Sequence, residues 1–135
     1  LLAVLLAGFI LNSHAHHDVS EEIDLDAPVQ VVGQLVDVEW RSPHVILHLE
    51  LEQTPESVQR WQVEIDSPQL LQSRGINRSA FNGLNVVAII LYPSMRQACT
   101  DDCHAYGLSL TEPRGNSYTL RRDISDWLTV LKRGN

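Results

Sequence analysis

Clusters of basic side chains are what this sequence most lacks. Lys and Arg number 10 against 17 Asp and Glu, for a formal net charge of −7. Its adjacent basic pairs are Arg121-Arg122 and Lys132-Arg133. Nucleic-acid binding needs a basic footprint that displaces counterions, so no nucleic-acid partner is expected. There is also no Gly-x-Ser-x-Gly elbow, no His-Glu-x-x-His and no phosphate-cradling glycine loop. No catalytic residue is assigned, and Glu39, Glu50, Glu64 and Asp66 read as scattered carboxylates of a solvated face. Nor is there a long apolar run: Leu1 to Leu11 is ended by Asn12-Ser13-His14, well short of the roughly 20 residues a membrane helix needs.

That short run has the length of a signal-peptide core. Ser13 and Ala15 are small residues three and one positions before an export-peptidase cut, which places the junction after Ala15. The basic region that precedes such a core is missing, so residues 1–15 read as a leader truncated at its N-terminus. The expected location is periplasmic or secreted, with no stable membrane span after cleavage. Cutting fifteen residues from 135 leaves 120, enough for one domain.

Cleavage there would start the mature chain at His16, followed by His17. An α-amino group and imidazoles offer lone pairs near neutrality, and amine plus imidazole nitrogens suit tetragonal copper. The set resembles the histidine brace of exported copper proteins. His16, His17 and His44 are therefore the candidate metal ligands, and copper the candidate cofactor. The plainer alternative is that His16 and His17 are the frayed polar start of a chain. His44 would then bond backbone after Pro43. His44 and His48 lie about 13 Å apart along one strand and cannot share an ion.

Two cysteines stand in Cys99-Thr100-Asp101-Asp102-Cys103-His104. An oxidising compartment favours a disulfide, and four residues of separation allow one if the loop turns. A soft-metal site using Cys99, Cys103 and His104 is the second reading, and free thiols the third.

Hydrophobic periodicity gives the elements. From Pro28 to Trp40 β-formers dominate, and their phase changes near Gly33, as at a bulge or bend. From His44 to about Glu52, Val45, Leu47, Leu49 and Leu51 share one face and His44, Ile46, His48 and Glu50 the other. Trp61, Val63 and Ile65 mark a third strand. Ser67-Pro68…Gly75 is a short capped helix. The run Leu84–Tyr92, then Tyr106–Thr111 and Tyr118–Leu120, follow as strands. Ile124, Trp127, Leu128 and Leu131 give a closing amphipathic helix that Asp123 could cap. Three strands, a helix and further strands is the order of a small OB-like five-stranded barrel, mainly β, with a C-terminal helix. The expected organisation is an N-terminal segment 16–27, a barrel 28–121 and a helix 122–135.

The Ala15-His16-His17 junction, Trp40-Arg41-Ser42-Pro43-His44 and Ser67-Pro68…Arg74-Gly75 together resemble an uncharacterised bacterial exported family, domain of unknown function 6152. Its pattern is a signal peptide ending in Ala-His-His, then Trp-x-Asn-Pro-His, then Gly-Ser-Pro…Arg-Gly-Trp. The resemblance runs from about Ala15 to about Leu120. Asp18, Ser42, Asp66 and Ile76 depart from it, and the cysteine pair and the C-terminal amphipathic segment lie outside the pattern. It implies export and a small β-rich fold, places His16, His17 and His44 on motif positions, and supplies no catalytic residues.

Two functions follow. One is an exported barrel that binds copper or another transition metal through its mature N-terminal histidine. The other is a non-metal interaction module binding a peptide, glycan or envelope partner through a barrel face that carries Trp40, His44 and His48.

Overall fold

The computed structural model describes residues 19–133. Strand β1 (Val29–Glu39) turns Val31, Gly33 and Leu35 toward the core. A bulge at Val36 then reverses its phase and brings Val38 inward. The phase change predicted at Gly33 thus falls three residues later. Gly33 is needed for a different reason: a Cβ there would sit 2.6 Å from Leu51 Cδ1 and 2.9 Å from the Glu50 carbonyl oxygen. Residues up to Gln34 pair with β4, and those from Gln34 onward pair with β2. One long strand therefore serves both halves of the sheet.

Strands β2 (Ile46–Thr54) and β3 (Ser57–Glu64) form an antiparallel hairpin. Their alternation buries Leu47, Leu49, Leu51, Trp61 and Val63, as predicted. Helix α1 (Pro68–Ser73) has the expected punctuation. Ser67 Oγ accepts the Leu70 N–H at 3.3 Å, and Gly75 takes φ +80° after the last turn. A single 3-10 turn (Arg78–Phe81) leads to β4 (Val86–Pro93) and β5 (Asp102–Thr111). Strand β5 pairs antiparallel with β4 and parallel with β3, which closes the barrel. A short β6 (Ser117–Thr119) extends β5 as a hairpin before helix α2 (Arg122–Arg133). The result is the small five-stranded barrel expected from the element order, with its helix between strands three and four and a second helix at the end.

Strand β5 begins at Asp102, four residues before the predicted Tyr106. Its first inward residues, Cys103 and Ala105, are small and give little apolar signal. Close packing explains the size limit: at Gly107 a Cβ would meet Val63 Cγ1 at 2.8 Å and Ile65 Cγ2 at 3.0 Å.

A second cluster sits outside the barrel. Val19, Ile23 and Ile124 pack with Tyr92, and Leu108, Tyr106 and Leu128 border them. The N-terminal segment and α2 thereby cover part of the outer face of β4 and β5. Asp123 falls in the first turn of α2 and is not its cap. The Arg122 N–H donates instead to Asp66 Oδ2 at 3.1 Å, from across the fold. Among the described residues no helix is long and apolar enough to cross a membrane.

Candidate functional site

The outer surface of β1, β2, β3 and β5 is built by the same alternation that fills the core. Leu47 and Leu49 point in, so Ile46, His48 and Glu50 point out. Pairing then sets Asp37, His48, Gln62 and His104 in one row across four strands. The next row carries Glu50, Arg60 and Asp102, and Arg60 approaches both carboxylates at 3.8 and 3.9 Å. His48 Nε2 meets Glu39 Oε1 at 2.7 Å, and Glu39 also holds Arg41. Between these rows, Val36, His48, Glu50, Arg60 and Asp102 border a depression of about 110 Å³. Small-molecule sites usually run to roughly 300–1,000 Å³, so this one fits a side chain better than an enclosed ligand. An open cleft of about 490 Å³ lies elsewhere, between residues 82–86 and 112–114. It is larger, but Glu112, its one carboxylate, is already engaged by Asn116 and Tyr118.

The β4–β5 loop bounds one end of this face. Cys99 and Cys103 form a disulfide with Cα atoms 4.6 Å apart, which settles the three-way reading of this pair. Cys103 is buried while its neighbour His104 is exposed. Gln59 Nε2 donates to the Thr100 carbonyl at 2.7 Å, fastening the loop to β3.

His44 lies at the other end, where Nδ1 pairs with Glu64 Oε1 at 3.0 Å. The same Glu64 oxygen receives Arg121 Nη1 at 2.9 Å, and Asp123 takes the rest of that guanidinium. Arg121 is 4% exposed and sits over the Tyr106 ring, 5.4 Å from its centroid. Burial alone would lower the Arg121 pKa, yet the bonds and charges of Asp123 and Glu64 raise it. For Asp123, burial pushes upward and is outweighed by the hydrogen bonds and charge of Arg121, which hold the carboxyl below its usual range.

Tyr106 OH donates to Glu22, which also receives Arg96 at 3.0 Å. Burial first, then the Glu22 hydrogen bond and the charges of Glu22 and Glu64, raise the phenol well above 10, against an opposing effect of Arg121. Only the neutral phenol suits the folded state. Its contribution is complete below about pH 10 and is lost as the pH rises from there toward the folded value. Tyr106→Phe is expected to flatten this alkaline loss, read as denaturant midpoint against pH between about 9 and 12.

The copper expectation does not hold. Among the described residues no group of three or more His, Cys, Asp or Glu is placed to hold a metal ion. His44 is occupied with Glu64, His48 with Glu39, and both sulfurs are in the disulfide. His16 and His17 lie outside the described residues. Trp40 is not brought to the face with His44 and His48. It packs against the core, its ring 6.0 Å from that of Phe81.

Sequence reasoning assigned no role to Glu22, Tyr106 or Arg121. Burial of Arg121 leaves no periodic trace, because a guanidinium in an otherwise apolar position reads as surface. The one available signal was the isolation of Arg121-Arg122 in a chain poor in basic residues.

No curated protein and no solved structure matches the sequence. Residues 4–101 match the Family of unknown function (DUF6152), which extends further toward the N-terminus than the motif resemblance and stops at the brink of β5. That stretch is most of the chain, and it carries the Trp40–His44 turn, α1 and four of the five barrel strands; the protein belongs to this family.

Proposed function

We propose that the protein is an exported, non-metal interaction module whose β1–β2–β3–β5 face binds a peptide segment of an envelope or secreted partner. The observation that carries this is an asymmetry. The chain's own N-terminal segment and α2 pack on part of the outer side of β4 and β5, whereas, among the described residues, the rows through His48 and Glu50 keep 25% and 40% of those two side chains exposed. In OB-type barrels the strand 2–3 face is the usual binding surface.

The side chains on this face decide more. Bases bind such faces by stacking on aromatic rings. Trp61 is buried here, and the Tyr106 hydroxyl is engaged by Glu22. Glycan rings want the same aromatic platform, so a glycan fits less well than a peptide. Carboxylates outnumber cations on these strands: Glu50 and Asp102 flank Arg60, and Asp37 and Glu39 stand further along β1. Charge complementarity then favours a segment carrying Lys or Arg. The small depression beside His48 suits one of its side chains.

The test is an amide-resolved NMR titration with an unstructured Lys/Arg-containing peptide, an acidic peptide of equal length and a neutral oligosaccharide. The basic peptide is expected to shift resonances of β2, β3 and β5, and Glu50→Lys with Asp102→Lys is expected to weaken it about tenfold, roughly 1.4 kcal/mol. Shifts caused only by the oligosaccharide, or by none of the three, would overturn the proposal.

A further inference from the structure

The outer surface of β1, β4, β5 and β6 is of another kind, and it borders the charged face at Gln34, which pairs with Glu50. Outward residues of β1 and β4 place Val32 directly across from Ala88, with Val86 and Ile90 as its diagonal neighbours. Three of these four are well exposed: Val32 60%, Val86 43% and Ile90 37%. Gln30 and Gln34 flank Val32 on β1, opposite Ile90 and Val86. On the far side, Ser109 and Thr111 of β5 stand beside Thr119 and Ser117 of β6. Thr111 and Ser117 hydroxyls lie 2.7 Å apart. None of these outward positions carries a charge, although a fifth of the chain's residues are charged.

We propose that this uncharged face pairs with the same face of a second copy. Two observations select that occupant. First, each chain carries −7, so copies meeting through the carboxylate-rich faces would set like charges against each other, whereas this face adds none. Second, the chemistry is self-complementary. A two-fold contact puts the same patch on both sides, so its polar rim must pair with itself. Amide and hydroxyl side chains each donate and accept, which a rim of Lys or Glu could not do. The apolar centre meets its own copy in the same contact, with the two sheets stacked face to face. An apolar, charge-depleted core within a polar rim is also the usual anatomy of a protein interface. A partner rich in Lys or Arg would be drawn to the carboxylate-rich face instead.

The patch is small beside the roughly 20–30 residues per side of a standard interface, so the dimer is a weak one that forms with concentration. It leaves the His48 face uncovered and does not depend on what binds there. Sedimentation equilibrium of the protein from about 10 to about 500 µM is expected to show the mass rising from one chain toward two, in the range a sub-standard interface supports. Val32→Lys and Ile90→Lys, at exposed positions, are expected to hold the protein monomeric with unchanged circular dichroism and thermal midpoint. A monomer throughout that range would overturn the inference. So would a dimer that Val32→Lys leaves intact, since another surface would then be responsible.

Discussion

Asp66→Ala is expected to lower stability by about 3–5 kcal/mol, the range for stranding one partner of a buried ion pair. Both members are well enclosed, with side-chain exposures of 7% for Asp66 and 19% for Arg74, and they meet at 2.9 Å. The carboxylate has a second duty, since Oδ2 also accepts the first N–H of α2 from Arg122. Its removal leaves a partly buried guanidinium with the Thr119 carbonyl as its remaining acceptor and Nε already unpaired. It also uncaps a helix that is a lid on the outer cluster. Urea unfolding checks the magnitude. Because α2 is held separately by Ile124 and Leu128, hydrogen exchange is expected to show it opening first. A loss under 1 kcal/mol would mean that water replaces the pair without penalty.

Arg121→Ala is expected to cost about 3 kcal/mol, the lower end of the same range. The guanidinium is 5% exposed, but its partners Glu64 and Asp123 keep 30% and 39% of their side chains in contact with solvent. Solvent can therefore take over part of what Arg121 supplied. The variant also loses the cation over Tyr106 and a bond that steadies His44 through Glu64. An acid signature separates this from simple loss of packing. Asp123 is held below its usual pKa, so its stabilisation is present above about pH 4 and is lost as pH falls toward the folded value. Arg121→Ala should flatten that acid limb, while Arg121→Met, which restores volume but no charge, should recover stability without restoring it. Chemical denaturation at pH 7 and near pH 3 reads both effects.

Why some of this was legible and some was not follows from what each feature depends on. β2 could be read outright, because Leu47, Leu49 and Leu51 are large and alternate strictly. Helix α1 was equally plain, its Ser67, Pro68 and Gly75 each having a local stereochemical role. The Gly33 signal was genuine but misassigned. A glycine marks close approach as readily as a bulge, and only the neighbouring strand reveals which. β5 was half hidden, since tight crossing demands small residues that look like loop. Trp40 looked like part of an exposed face because nothing local announces Phe81, forty-one residues on in the chain, as its neighbour. The charged clasps were hidden most of all. Asp66 with Arg74, and Arg121 with Glu64, are fixed by the tertiary fold, and nothing in their local sequence marks them as buried.

The parallel seam between β3 and β5 has a practical consequence for anyone dividing this chain. The family match ends at Asp101, one residue before the strand that joins the two edges of the sheet. A fragment cut there would leave β3 and β4 with bare N–H and C=O groups, the template on which strands recruit one another into aggregates. It would also forfeit one half-cystine, the Arg121 clasp on Glu64 and the bond from the first N–H of α2 to Asp66. Insolubility of such a piece would report severed hydrogen-bonding edges, and would say nothing against the family's boundaries.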